Sequence, residues 1–128
     1  MPQTIDRILA RSRGSASEIL AAAYLESRGL RMLARNWRCK GGELDLVALD
    51  GVTLAIIEVR QRSRAGFGGA PASVTVAKQQ RILRAARYFM LRHAAWRAYA
   101  VRFDVLALHG VPDGEHRIEW IKAAFIDR

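Results

Sequence analysis

Residues 41–62, GGELDLVALDGVTLAIIEVRQR, constrain the fold more than any other stretch of the chain. They read as two strands joined by a tight turn at Asp50-Gly51. The second strand, Thr53 to Arg60, is apolar on both faces for most of its length, as a central buried strand should be. Carboxylates stand at Glu43, Asp45 and Glu58. Side chains alternate along a strand, so Glu43 and Asp45 should share a face, as should Glu58 and Arg60. Any loop of even length between the strands gathers Asp45, Glu58 and Arg60 on one side of the sheet. An odd loop or a bulge would separate them.

A carboxylate that ends a buried apolar strand is costly unless it is paired or meets a cation. A second carboxylate beside it raises that cost. Two arrangements relieve it. A hard divalent cation, Mg²⁺ or Mn²⁺, can take Asp45 and Glu58 as oxygen ligands. Alternatively, Arg60 or Arg62 neutralises the pair and no metal is needed.

Around this hairpin the chain reads as mixed α/β. An Ala/Leu-rich run to about Arg28 is a helix, with Ser15 and Glu18 in capping-box spacing and Gly29 as a stop. Glu18 is therefore either a cap or an acid that supports a ligand. Arg31 to Arg38 is a short strand, broken by Gly41-Gly42. Residues 61–76 hold Gly66, Gly68, Gly69 and Pro71 and read as a loop or flap. Ala77 to about His93 is an amphipathic helix with Ile82, Leu83, Ala86, Phe89 and Met90 in one apolar sector. Arg81, Arg84, Arg87 and Arg92 fall outside that sector. Tyr99 to Leu108 is a further strand, Val111 to Glu115 a turn, and Ile118 to Ile126 a final strand or short helix. Within the fourth strand, Asp104 is expected to pair with Arg102 or another arginine. Trp37 is expected in the core. Residues 1–13 form a basic arm and residues 14–128 a single domain.

The balance of 21 Lys and Arg against 12 Asp and Glu, a formal charge of +9, suits a polyanionic partner such as nucleic acid. Arg62, Arg64 and Lys78 would form the entrance to the site, and Arg38, beside Trp37, adds a further backbone contact. Lys78 is otherwise a solvated helix start. The one cysteine, Cys39, rules out an internal disulfide and, with no secretory signal in residues 1–13, points to the cytoplasm. No run of apolar residues is long enough to span a membrane. The three histidines lack metal-ligand spacing, and no nucleophile triad or nucleotide-binding glycine loop occurs.

Several stretches carry a family resemblance: AAAYLESRGLRMLARNWRCKGGELDL, IIEVRQR followed by FGGAPASV, the helix opening at Lys78, RFDVLAL and the closing WIKAAF. Together they resemble the YraN-type bacterial family and, more distantly, the PD-(D/E)xK nuclease superfamily. That resemblance implies a restriction-endonuclease-like αβββαβ core like that of Holliday-junction resolvases, with a mixed sheet flanked by helices. It implies Asp45 and Glu58 as ligands of Mg²⁺ or Mn²⁺, Glu18 as an accessory acid, DNA as partner, branched or damaged DNA included, and a homodimer by analogy. The superfamily motif places a lysine where this chain has Arg60. Arginine cannot serve as a base near neutral pH, though it can hold a phosphate. Three activities follow: a metal-dependent endonuclease, a nucleic-acid-binding module that has lost the chemistry, or a basic adaptor for an acidic protein.

Overall fold

The computed structural model describes residues 16–62, 74–110 and 116–126. The basic arm, Ser15, Arg64, the glycine-rich flap and the turn expected at Val111 to Glu115 lie outside the described residues. Helix α1 spans Ala16–Ser27, followed by strands β1 (Arg31–Cys39), β2 (Gly42–Asp50) and β3 (Thr53–Arg62). Helix α2 spans Val76–Arg92, and strands β4 (Ala100–Gly110) and β5 (His116–Phe125) close the chain. The expected α/β class and order hold, and the undecided last segment is a strand.

The five strands form one mixed sheet in sequence order. β1 and β2, β2 and β3, and β4 and β5 pair antiparallel, whereas β3 and β4 run parallel. A parallel pair needs a crossover, and α2 supplies it. β3 is thus central, which explains why Leu54 to Ile57 are apolar without alternation: both faces are covered.

α1 ends as its glycine foretells. Gly29 has φ +92, its N–H donates to Glu26 O at 3.0 Å, and Leu30 N–H donates to Leu25 O at 3.1 Å. That pair of bonds is a Schellman closure, which requires the left-handed conformation at Gly29. α1 buries Ala21, Ala22 and Leu25 on one sheet face, against Leu46, Ala48, Ile57 and Leu106. α2 buries Ile82, Ala85, Ala86 and Phe89 on the other face, against Leu44, Val47, Leu54 and Ile56. The arginines outside its apolar sector, Arg81, Arg84, Arg87 and Arg92, are exposed, as the helical period requires. Trp37 meets the edge of Phe89 at 5.3 Å between ring centres and belongs to this core.

Asp104 is fully buried, and every one of its contacts is a donor. Arg102 Nε donates to Oδ1 at 2.8 Å and Arg102 Nη2 to Oδ2 at 2.9 Å. Trp120 Nε1 and Ala123 N–H, both on β5, add bonds of 3.0 Å each. Arg102 also reaches Asp50 Oδ2 at 2.9 Å, and this holds the Asp50 carboxyl below its ordinary range. The network ties β4 and β5 to the β2–β3 turn. Replacing Asp104 with Ala leaves Arg102 short of an anion and two β5 donors without an acceptor. The expected loss, read by urea denaturation, is about 3–5 kcal/mol; a change within ~0.5 kcal/mol would mean that the network contributes no stability.

Candidate metal and nucleic-acid site

The geometry of the site follows from the parity of one turn. Asp50 pairs with Thr53 across Gly51-Val52, and the ladder runs to Leu46 opposite Ile57. Gly51 takes the left-handed conformation, φ +63, that so tight a reversal demands. The tip is thus Gly51-Val52, one position past the Asp50-Gly51 turn expected from the sequence, and the loop is still of even length. Carried one position further, the same register sets Asp45 against Glu58.

At Asp45 the strand departs from regular alternation. Asn36, which falls between the pairs Arg35–Leu46 and Trp37–Leu44, has φ +48. Leu44 and Val47, three residues apart, pack into the same core cluster. Beyond Leu46, β2 leaves the β3 ladder, and the Asp45 carboxylate takes the place of a main-chain acceptor. Its Oδ2 accepts from Val59 N–H at 2.9 Å.

The two carboxyl groups converge. Asp45 and Glu58 are both buried, 9% and 5% exposed, and close enough for Glu58 to act on the Asp45 carboxyl. Burial pushes the Asp45 carboxyl up to about 8, and the Glu58 charge adds to the rise. The Val59 N–H opposes it, while Glu18 on the first turn of α1 raises it further through its charge. Near neutral pH the pair therefore keeps a proton, because two adjacent buried carboxylates cannot both ionise without a cation.

A lysine reaches the pair. Lys78, on the first turn of α2, sets its Nζ 3.0 Å from Glu58 Oε2. Thr75 caps that helix by accepting from Lys78 N–H at 3.1 Å, which fixes where the lysine emerges. The sequence reading gave Lys78 only a phosphate contact or a solvated helix start. It missed the pairing with Glu58, which spans 20 positions of chain and the sheet-to-helix packing.

The other expected site residues are distributed around this pair. Glu18 is half-buried and close enough to act on Asp45 through its charge. Arg60 is half-buried two residues beyond Glu58, on the same face by alternation. Arg62 ends β3, half-buried. Arg38 is exposed and donates to Glu43 Oε2 at 3.1 Å. Glu43 is thus an exposed ion-pair partner; it does not share Asp45's setting, because the irregularity at Asn36 and Asp45 breaks the strict alternation. Among the described residues no three His, Cys, Asp or Glu side chains gather into a metal cage. Asp45 and Glu58 are two oxygen ligands, a number that fits an ion completing its shell with water and phosphate oxygens.

Fold and site together define a restriction-endonuclease-like α/β domain with a buried acidic pair where its sheet opens. The chain belongs to the family described as Uncharacterised protein family UPF0102, whose profile matches residues 17–108. This is the YraN-type family that the sequence resembles. A UPF0102 protein of Pseudomonas putida is 51% identical over 112 residues, covering 88% of this chain and 90% of the relative. One from Stutzerimonas stutzeri is 46% identical over 114 residues, covering 89% and 94%. One from Pseudomonas syringae pv. syringae is 45% identical over 112 residues, covering 88% and 91%. Among the described residues no helix is long and apolar enough to cross a membrane.

The raised Asp45 carboxyl fixes a pH dependence. Unfolded, Asp45 loses its proton near 3.8; folded, it keeps it to about 8. The folded state therefore binds more protons between those limits, and stability falls as pH rises through them. Asp45→Asn mimics the protonated form and still offers an oxygen to Val59 N–H. Its stability advantage over the parent should be small near pH 4 and grow by several kcal/mol toward pH 8. Paired denaturation curves across that range test this, and a difference that stays flat would show that Asp45 ionises normally.

Proposed function

We propose that the chain is a divalent-metal-dependent phosphodiesterase acting on nucleic acid, with Asp45 and Glu58 as ligands of Mg²⁺ or Mn²⁺. The observation that supports this most is the buried acidic pair itself, two carboxyl groups side by side with Lys78 at 3.0 Å from one of them. A divalent ion with a preference for oxygen is the partner such a pair fits. When bound, it supplies Lewis acidity to the phosphodiester and makes water a better nucleophile.

The chain's own groups have separable tasks. Val59 N–H fixes the direction of Asp45 Oδ2. Glu18 adds negative charge behind Asp45, which strengthens the pull on a cation. Lys78 orients Glu58 and, as a rotatable point charge at the rim, can turn to a phosphate oxygen of the substrate. Arg60 stays charged at any working pH, so its task is to offset charge on the phosphate, not to take a proton. The formal charge of +9 favours a polyanion and makes affinity fall steeply with salt. DNA is the nucleic acid the reading names, with branched and damaged forms among the substrates to try.

A second reading, a binding module without chemistry, draws on Arg60 and on the Lys78–Glu58 contact, which already supplies the pair with a cation. A basic adaptor for an acidic protein is a third. Calorimetric titration with Mn²⁺ separates the first reading from the others. Uptake should release about one proton per site near pH 7 and progressively less above pH 8, and Asp45→Ala should abolish it. Titration that shows no uptake would overturn the metal reading. Cleavage is then assayed on linear, nicked and branched DNA with Mn²⁺. Asp45→Ala and Glu58→Ala should lose it by a hundredfold or more, on the order of a barrier increase of ~3 kcal/mol. Activity equal in parent and variants would identify a contaminating nuclease.

A further inference from the structure

We infer that a nucleic-acid strand leaves the carboxylate pair along the groove between the β1–β2 turn and α2, held through its phosphates by Arg38, Arg81 and Arg84. The inference rests on the reading of Asp45 and Glu58 as a nucleic-acid site and names the surface that this site uses. The groove encloses about 450 Å³ between Arg38 and Glu43 on the hairpin side and Lys78 and Arg81 on the helix side. Lys78 belongs to both places: it lines the groove and touches Glu58 at 3.0 Å. Lys78 is therefore the link between the groove and the acidic pair.

The double glycine that breaks the β1–β2 hairpin builds this groove. A Cβ on Gly42 would stand 2.9 Å from Arg81 O and 3.3 Å from Ala85 Cβ, so only glycine lets the turn lie against the backbone of α2. Gly41, at φ +94, lies beneath the Arg84 side chain, whose Cδ would be 3.5 Å from an added Cβ. Glycine backbone thus forms the floor, and arginines stand over it. Lys78, Arg81 and Arg84 are spaced three apart, so they succeed one another about every 4.5 Å along the helix. A ladder of cations starting at the carboxylates is what a phosphodiester backbone needs.

Charge and polarity favour nucleic acid over an acidic protein. Arg38, Lys78 and Arg81 line the groove with one acid, Glu43, and Arg84 stands over Gly41 beside it; Glu43 engages Arg38 Nε and leaves the Arg38 side chain 75% exposed, and Lys78 pairs with Glu58. The apolar residue of the groove, Ile82, is buried beneath it. A protein partner would need an exposed apolar or aromatic anchor at the centre of its contact, which the groove does not offer. Phosphate contacts position a strand without reading its bases, so binding here is independent of sequence.

The test compares Arg81→Glu/Arg84→Glu with Arg28→Glu/Arg31→Glu, a double change of equal charge near the far, turn end of the sheet. Labelled single-stranded and duplex DNA of about 20 nucleotides, in two unrelated sequences, is titrated from roughly 50 to 200 mM salt. The groove variant should bind every probe at least tenfold more weakly than the control variant, and its salt slope should fall by about two. Its Mn²⁺ uptake should be unchanged, which shows that the acidic pair is still folded. If the parent binds no DNA, the nucleic-acid reading falls and takes this inference with it. If the parent binds but the groove variant does so no worse than the control, the inference alone fails. Displacement of DNA by poly-glutamate at matched charge would assign the groove to an acidic protein and likewise overturn it.

Discussion

Everything proposed for this protein depends on one unfavourable contact, the approach of two carboxyl groups in a place with little water. The β2–β3 hairpin leads to that contact, because a two-residue tip fixes the register as far as Leu46 opposite Ile57, the positions next to Asp45 and Glu58. The fold then softens it with a retained proton, one main-chain donor and one lysine. None of these removes the repulsion. A sequence free to optimise stability would place an amide or an apolar residue at one of the two positions, so their retention as acids is a cost in stability that a functional role explains.

Asp104 shows what the same side chain looks like when its task is structural. It is more deeply buried than Asp45, yet it accepts four hydrogen bonds from Arg102, Trp120 and Ala123, and the acid nearest to it, Asp50, is held by the same guanidinium. Asp45 accepts one main-chain bond, and its nearest acidic neighbours push against it. Burial alone would have ranked Asp104 first as a site. The supply of donors reverses the order: a satisfied buried charge holds strands together, whereas an undersupplied one is a place for a ligand.

Those features that local rules govern were legible in the sequence. The stop at Gly29, the division of α2 into apolar and arginine faces and the Asp104–Arg102 pair all follow from spacing within a few residues, whereas the parity of the β2–β3 turn was left open by the sequence. Glu43 and Asp45 do not share a setting because a left-handed Asn36 opposite Asp45 interrupts alternation; asparagine tolerates that conformation, but nothing in its neighbours along the chain says that it adopts it here. Lys78 was undervalued because its pairing with Glu58 exists only once α2 packs on the sheet. The role of Gly41-Gly42 was hidden for the same reason. Read along the chain they end a strand; in the fold they admit the backbone of a helix.

The arginine that replaces the expected lysine on β3 looks less like a loss once α2 is in place. A basic side chain at that point of the strand has two separable tasks: to balance the acidic pair and to handle the phosphate. Here a lysine from another element meets Glu58, so on the proposed reading Arg60 is left to handle the phosphate. The division has a chemical logic. A guanidinium cannot lose its proton but grips two phosphate oxygens at once, whereas an ammonium is compact and can exchange one acceptor for another. Lys78 also begins the cationic row of α2, so the group that meets Glu58 is the first of that row. Departure from the strand motif is therefore compatible with chemistry at this site, provided the cation that matters is sought in space and not at a fixed distance along the chain.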